Sequence, residues 1–366
     1  MSISIENISL SVDNEIYLKD LSLSFDSGST NIFLGRTLSG KTSLLRIMAG
    51  LDRPSKGKIL VDGKDVTGVS VRKRNISMVY QQFINYPSFT VYNNIASPLK
   101  VAGMEKSKID GRVREVAAML HLEDMLDRMP IELSGGQQQR CAIARALVKD
   151  ANLLLLDEPL VNLDYKLREE LQIELQDIFK QRDAVVVYTT TEPAEALKLG
   201  GNIVVLDEGR VLQTGITSEV FHKPASIKVA EVFSDPPINL ISSHVEGSVF
   251  HMGQDVSIPL TRHLKSLASG EYIVGVRSNH LYLNPQNETD IAMEAILDLA
   301  EINGSETFFH VNYASTKLVV QEVGIYSKKI GSKILFYFNP ASLFVFSKTG
   351  ELILSPEKTL VEQAVE

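Results

Sequence analysis

The stretch Leu133–Arg140 reads LSGGQQQR. At average residue usage a given LSGGQ pentamer arises by chance in roughly one chain in a few thousand of this length. It lies between two other strings. Upstream, Gly35–Thr42 reads GRTLSGKT; downstream, Leu153–Asp164 reads LLLLDEPLVNLD. The upstream string fits G-x-x-x-x-G-K-[ST], a pattern that chance alone gives in about one chain in a hundred, so its context has to support it. The context is a strand spelling before it, Asn31–Leu34, and a helix-length stretch after it, Thr42–Ala49, closed by Gly50.

A glycine-rich turn between strand and helix lets successive N–H groups face an anion, and the helix adds its positive end. On this reading Gly35, Arg36, Thr37, Leu38, Ser39, Gly40, Lys41, Thr42 and Ser43 wrap the phosphates of a nucleotide. Lys41 reaches the β- and γ-phosphates and the Thr42 hydroxyl takes Mg²⁺. The leucines of LLLLDE spell a buried strand. It delivers Asp157 to Mg²⁺ and sets Glu158 beside it, where a carboxylate can orient and deprotonate an attacking water. Alone, two acids at a strand end are ordinary surface; beside a phosphate loop they are catalytic candidates. An N-capped helix accounts for Ser134. It leaves the paired glycines, Gly135 and Gly136, and the polar run from Gln137 without a reason. Free N–H groups at such a helix start can grip a phosphate.

A chain of 366 residues accommodates two domains, each with its own core. Its 44% apolar and 22% charged residues fit a soluble globular protein. With no apolar run of about 18 residues, no membrane span is expected. The start, MSISIENISL, lacks a basic segment followed by an apolar one, so no signal peptide is expected. A single cysteine, Cys141, excludes an intrachain disulfide, fits a reducing compartment and reads as a buried small hydrophobe. The net charge of −8 argues against a nucleic-acid partner.

Ile3–Ile8 and Leu21–Phe25 read as strands, Asp62-Gly63 as a hairpin turn and Ile76–Tyr80 as a buried strand. From Pro87 to Val148 the spelling is helical, with Val113, Val116, Met119 and Leu120 on one face. Asp164–Lys180 predicts a helix striped by Leu167, Leu171, Leu175 and Ile178; Ala184–Tyr188 and Ile203–Leu206 predict strands. The alternation argues a parallel sheet with crossover helices. Past Ser234-Asp235-Pro236-Pro237 the runs become short and β-rich, as in Ile334–Phe338 and Leu343–Phe346. The expected fold is therefore an α/β phosphate-loop core over residues 1–235, with a helical subdomain at 87–148. An all-β, small-barrel (OB-like) domain over 236–366 follows, closing on a polar tail.

These strings together resemble the ATPase subunits of ABC transporters, most closely the importers of sugars, polyols or glycerol phosphate. GVRSNHL, Gly275–Leu281, and FNPASLFVFSKTGE, Phe338–Glu351, are similar to the C-terminal β-domain of sugar-importer ATPases. The resemblance implies ATP as substrate with Mg²⁺. It implies a head-to-tail dimer in which Ser134, Gly135, Gly136 and Gln137 grip the ATP held by the other subunit, and Asp164 lies across the same interface. Gln81 matches the glutamine that touches Mg²⁺ or the water. Phe83, Ile84, Tyr86, Phe89 and Tyr92 follow it; most are expected in the core, two or three in a groove for the membrane subunit. Partners implied are a second ATPase subunit, two permease subunits and an extracytoplasmic binding protein that chooses the cargo. The location implied is peripheral, on the cytoplasmic face of the inner membrane.

Three positions depart from the family. Thr191, after the strand Ala184–Tyr188, stands where the family has its switch histidine; a hydroxyl is shorter and cannot become cationic. Losing one transition-state contact of that kind costs roughly 3 kcal/mol, or about 100-fold in rate. Val12 falls where an aromatic usually stacks on adenine, a contact worth about 1–3 kcal/mol; Tyr17 lies nearby and could substitute, though the weaker nucleotide affinity is the favoured expectation. Val161 replaces a serine before Asp164. Two of the losses fall on this chain's own site and none on the signature it lends. The expectation is a heterodimer with a weakened own site. The alternatives are a mainly non-hydrolysing scaffold and a slow homodimeric ATPase. A soluble ABC ATPase acting on nucleic acid predicts a coiled-coil insertion or a second cassette, and the sequence has neither.

Overall fold

The computed structural model describes residues 1–161 and 163–357; the expected polar tail falls largely outside them. The chain forms two compact units, Met1–Thr217 and Ser218–Glu366. The first begins with β1 (Ile3–Val12) and β2 (Glu15–Phe25), joined by Asp13 and Asn14, both at positive φ as a tight type I′ hairpin requires. β3 (Thr30–Leu34), α1 (Lys41–Ala49), β4 (Lys56–Val61) and β5 (Lys64–Asp65) follow. Gly50 ends α1 in the left-handed conformation at φ 74°, and Asp62-Gly63 turns β4 into β5. Then come β6 (Ile76–Val79), α2 (Val91–Val101), α3 (Lys106–Met119), α4 (Gly135–Leu147), β7 (Leu153–Asp157), α5 (Tyr165–Lys180), β8 (Val185–Thr190), α6 (Pro193–Leu199), β9 (Asn202–Asp207) and β10 (Arg210–Ile216).

β2-β1-β4-β5 form an antiparallel sheet, and β10-β9-β3-β8-β7-β6 a second sheet that is parallel except for β10. Ile3, Ile5 and Ile8 of β1, Leu44, Leu45 and Met48 of α1, and Phe33 and Leu155 of the parallel sheet share one core. Burying each such side chain is worth about 1.5–3 kcal/mol. The strand order matters for chemistry. β8 lies between β3 and β7, so the C-terminal ends of all three lie side by side: Leu34 opposite Thr190, and Asp157 opposite Thr189. Ligands of open α/β sheets gather at such ends.

Three expectations differ from the structure. β6 is half-buried rather than buried. On α3 Val113 and Val116 are buried and Leu120 behind them too, whereas Met119 is exposed; on α5 Phe179, not Ile178, completes the buried stripe with Leu171 and Leu175.

The second unit contains α7 (Thr217–His222, whose first residue closes the first unit), α8 (Ile227–Val232), β11 (Asn239–Glu246), β12 (Val249–Met252), β13 (Val256–Pro259), β14 (Gly270–Val276), β15 (Leu281–Tyr282), β16 (Ile291–Asn303), β17 (Glu306–Tyr313), β18 (Thr316–Val323), β19 (Lys333–Phe338), β20 (Phe344–Ser347) and β21 (Leu352–Leu354). A six-stranded sheet, β13-β12-β11-β14-β20-β21, and a five-stranded one, β15-β19-β16-β17-β18, enclose a single core that includes Phe250, Val274, Phe309 and Phe336. Asn239 of β11 adds a rung to β18: its side chain donates to Val319 O (2.8 Å) and accepts from Val319 N (2.7 Å). The two sheets thus approach a closed barrel. The unit begins ahead of the change of spelling at Ser234. Ser226 bridges to Glu351, Ile227 N donates to Gly350 O, and Arg277 lies 3.6 Å over the Phe221 ring, tying the α7–α8 segment to the strands.

Candidate active site

The turn from β3 to α1 is built around two glycines. A Cβ on Gly35 would stand 2.3 Å from Leu206 O and 2.5 Å from Ser39 Oγ. Gly40 sits at φ 100°, packed against Leu18 and Tyr17. Leu38 also adopts a left-handed φ, 66°, and is 93% exposed. Such a conformation costs a non-glycine residue about 1–2 kcal/mol, and the residue type gave no sign of it.

Lys41, 4% exposed, donates to Gly35 O (2.7 Å) and Arg36 O (3.0 Å) and pairs with Glu158 Oε1 at 3.3 Å. Burial pulls its pKa below the usual lysine value; Glu158 acts against that. Thr42 Oγ1 donates to Asp157 Oδ1 at 3.0 Å. Gln81 Nε2 donates to Glu158 Oε2 at 3.1 Å. So the loop, both acids and Gln81 converge. The loop from Thr37 to Ser43, Gln81 and Glu158 border a cleft of about 620 Å³ with Glu15 and Tyr17, and Asp157 joins them through Thr42. Tyr17 is the aromatic on that wall, its hydroxyl donating to Glu15 at 3.0 Å. Val12 lies on the far side of the Asp13–Asn14 turn, opposite Glu15.

One residue escaped the sequence reading. Thr189 Oγ1 donates to Asp157 Oδ1 (2.9 Å) and accepts from Glu158 N (2.9 Å), fixing both acids from the neighbouring strand. Burial raises the Asp157 carboxyl's pKa, opposed by the hydrogen bonds from Thr189 and Thr42. The only available signal was a threonine run at a strand end. Thr191 is half-buried and follows β8 directly. Its loop is anchored from behind: buried Glu195 of α6 accepts from Thr190 Oγ1 (2.7 Å) and Tyr188 OH (3.1 Å), and Arg168 pairs with Glu192.

Elsewhere, Ser134 and Gln137 form a reciprocal cap at the start of α4, with Ser134 Oγ accepting from Gln137 N and Gln137 Oε1 from Ser134 N. A Cβ on Gly135 would meet nothing within 4 Å, whereas one on Gly136 would stand 2.0 Å from Leu167 Cδ2. Packing thus explains Gly136. The polar run is structural as well: Gln138 donates to Leu133 O, and buried Arg140 donates to Leu120 O and pairs with Glu174 at 3.6 Å. Asp164 caps α5, accepting from Leu167 N at 3.0 Å; Val161 before it is 37% exposed. Cys141 is buried, and burial lifts its thiol to about 12, which leaves it inert.

The segment after Gln81 corrects the expectation of a mostly buried cluster. Ile84, Tyr86 and Phe89 are exposed, and Phe83 and Tyr92 only half-buried. Buried Asn94 holds the segment in this form. Its amide donates to Tyr86 O, Phe89 O and Thr90 O at 3.0–3.1 Å and accepts from Tyr86 N at 2.8 Å.

A glycine loop at a strand end, a buried lysine and a pair of acids on the next-but-one strand define a nucleoside-triphosphate hydrolase of the phosphate-loop class. Comparison with known proteins narrows the class. The ABC transporter family model matches residues 18–161. The sn-glycerol-3-phosphate import ATP-binding proteins UgpC of Escherichia coli K12 and Shigella boydii serotype 4 are each 35% identical over 339 residues, 92% of this chain and 95% of each relative. Among solved structures, the dimeric bacterial ABC transporter cassette MJ0796 matches with a TM-score of 0.53 at 30% identity, over 59% of this chain and 98% of the cassette. Its dimeric post-hydrolysis form bound to ADP and Pi matches with the same score. The chain belongs to the ABC transporter family, as an ATP-hydrolysing, ATP-binding subunit of the carbohydrate and polyol importer type.

Proposed function

We propose that this chain powers uptake of glycerol 3-phosphate or a chemically similar small polyol or carbohydrate, by binding and hydrolysing ATP at the loop Gly35–Ser43. The observation that carries the reading is the meeting of Lys41, Thr42, Gln81 and Glu158 at one cleft, with Asp157 bonded to Thr42. The substrate class follows from the relatives' name; the permease and an extracytoplasmic binding protein select the cargo. The chain would work at the cytoplasmic face, docked on two permease subunits through the exposed Ile84, Tyr86 and Phe89. Among the described residues no helix is long and apolar enough to cross a membrane.

Thr42 Oγ1 and Asp157, with Gln81 nearby, offer hard oxygen donors, and the Asp157 carboxylate is buried. This donor set suits Mg²⁺, which when bound would neutralise charge on the β- and γ-phosphates. Lys41 exchanges Glu158 and the loop carbonyls for phosphate oxygens. Glu158, released from Lys41 and still oriented by Gln81 and Thr189, takes the proton of the attacking water. Tyr17 stacks on adenine in place of an aromatic at Val12. Ser134, Gly135, Gly136, Gln137 and Asp164 act in trans on the ATP of a second ATPase subunit. That subunit is a different chain carrying the histidine that Thr191 replaces.

Glu158→Gln tests the catalytic assignment. ATPase activity and uptake in reconstituted transporter are expected to fall by about 10²–10⁴-fold with nucleotide binding retained. Unchanged turnover would favour the alternative of a mainly non-hydrolysing, ATP-binding scaffold.

A further inference from the structure

We propose that the solvent face of the β11–β12 hairpin is a binding site for a borderline divalent cation, Zn²⁺ foremost, held by His244, Glu246 and His251. The donor atoms of the three side chains lie within 4.8 Å of one another. The placement follows from register. His244 of β11 is directly opposite His251 of β12, and Glu246 is two residues along β11, on the same face. The two imidazoles stack with ring centroids 4.7 Å apart and planes 18° from parallel. His244 and Glu246 are exposed and His251 half-buried, so an ion reaches them from solvent.

The row extends across the sheet. Ser257 of β13, opposite His251, contacts its Nδ1 at 3.0 Å and fixes the ring, the role an outer hydrogen bond plays for a metal-ligating histidine. On the other side Glu271 of β14 faces His244 and is paired with Lys348. Two imidazoles and one carboxylate are the donor set of three-ligand zinc sites, which leave a coordination position open. Tetrahedral Zn²⁺ with donors at about 2.0–2.1 Å needs donors about 3.3 Å apart, which small rotations of exposed side chains supply. Nitrogen donors turn the site away from Mg²⁺, so it is independent of the nucleotide's own cation. A bound ion clips β11 to β12 in the C-terminal unit, and the open position can take a ligand from a partner.

The test is equilibrium dialysis of the full-length, nucleotide-free chain against Zn²⁺ alone, repeated with excess Mg²⁺. One saturable equivalent that Mg²⁺ does not displace is expected. His244→Ala and His251→Ala should each weaken it by at least about 100-fold and Ser257→Ala by about 10-fold. Circular dichroism identical to the parent's would show the variants folded, as substitutions at surface positions should be. No saturable binding, or binding that persists in the His244→Ala/His251→Ala double variant, would overturn the assignment.

Discussion

Gly135 and Gly136 are neighbours in sequence with opposite surroundings. A methyl group on Gly136 collides with Leu167, and one on Gly135 meets open space. Gly136→Ala should therefore cost stability, about 1 kcal/mol after the gain in helix propensity, because Leu167 must turn aside. Gly135→Ala should leave stability unchanged or raise it by up to about 1 kcal/mol. If that bare surface exists to approach a phosphate on another subunit, Gly135→Ala should still cut ATPase activity at least tenfold. Urea unfolding and steady-state hydrolysis separate the two effects. Full activity in Gly135→Ala would remove the reason for a glycine there. At this scale the loop glycines, Lys41, Asp157 and Glu158 were legible because each answers to a motif with a stated mechanism. Thr189 and Leu38 were not. A threonine's hydrogen-bond partners depend on which strand lies beside it, and a left-handed leucine is invisible to pattern.

Among the elements, the segment Phe83–Tyr92 shows the sharpest gap between pattern and structure. Aromatic and apolar residues in a row suggest a core, yet here one buried amide, Asn94, uses four hydrogen bonds to hold Tyr86 and Phe89 at the surface. Pattern cannot detect this, since a single asparagine on a helix reads as solvated. Asn94→Ala strips partners from several backbone groups at once, at about 1–3 kcal/mol for each buried one left unsatisfied. Expected is a loss of roughly 3 kcal/mol in thermal or denaturant unfolding. In the assembled transporter, uptake should fall more than ATPase activity, because Ile84, Tyr86 and Phe89 are not among the residues lining the cleft at Lys41 and Glu158. Equal losses of both would argue that the segment serves catalysis rather than docking. The strands and helices themselves were readable from alternation and stripe; their order was not. That β8 lies between β3 and β7 emerges only from pairing, and it is what brings Thr189 to Asp157.

At the scale of the molecule, the proposed function gives this chain two half-sites of unequal quality. The cleft is lined by the phosphate loop, Glu158 and Tyr17, with Asp157 bonded to Thr42, and on the proposed reading Tyr17 offsets the loss at Val12. The departure then left in its own site is Thr191, a hydroxyl where a cationic imidazole would steady the γ-phosphate. The signature surface at Ser134 and Gly135 has no such defect. On that reading, a chain whose signature is intact and whose own site is impaired gains most from a partner with the opposite balance. The expected outcome is that the membrane complex, purified through a tag on this chain and weighed intact, contains one copy of it and one different ATPase carrying the histidine. In that complex Thr191→His should raise turnover, by up to about 100-fold if the impaired site limits the cycle. Two copies of this chain and no other ATPase would overturn the asymmetric assembly. Catalysis without the histidine would then fall to Glu158, held by Gln81 and Thr189, with Glu195 bracing the strand end that leads into Thr191.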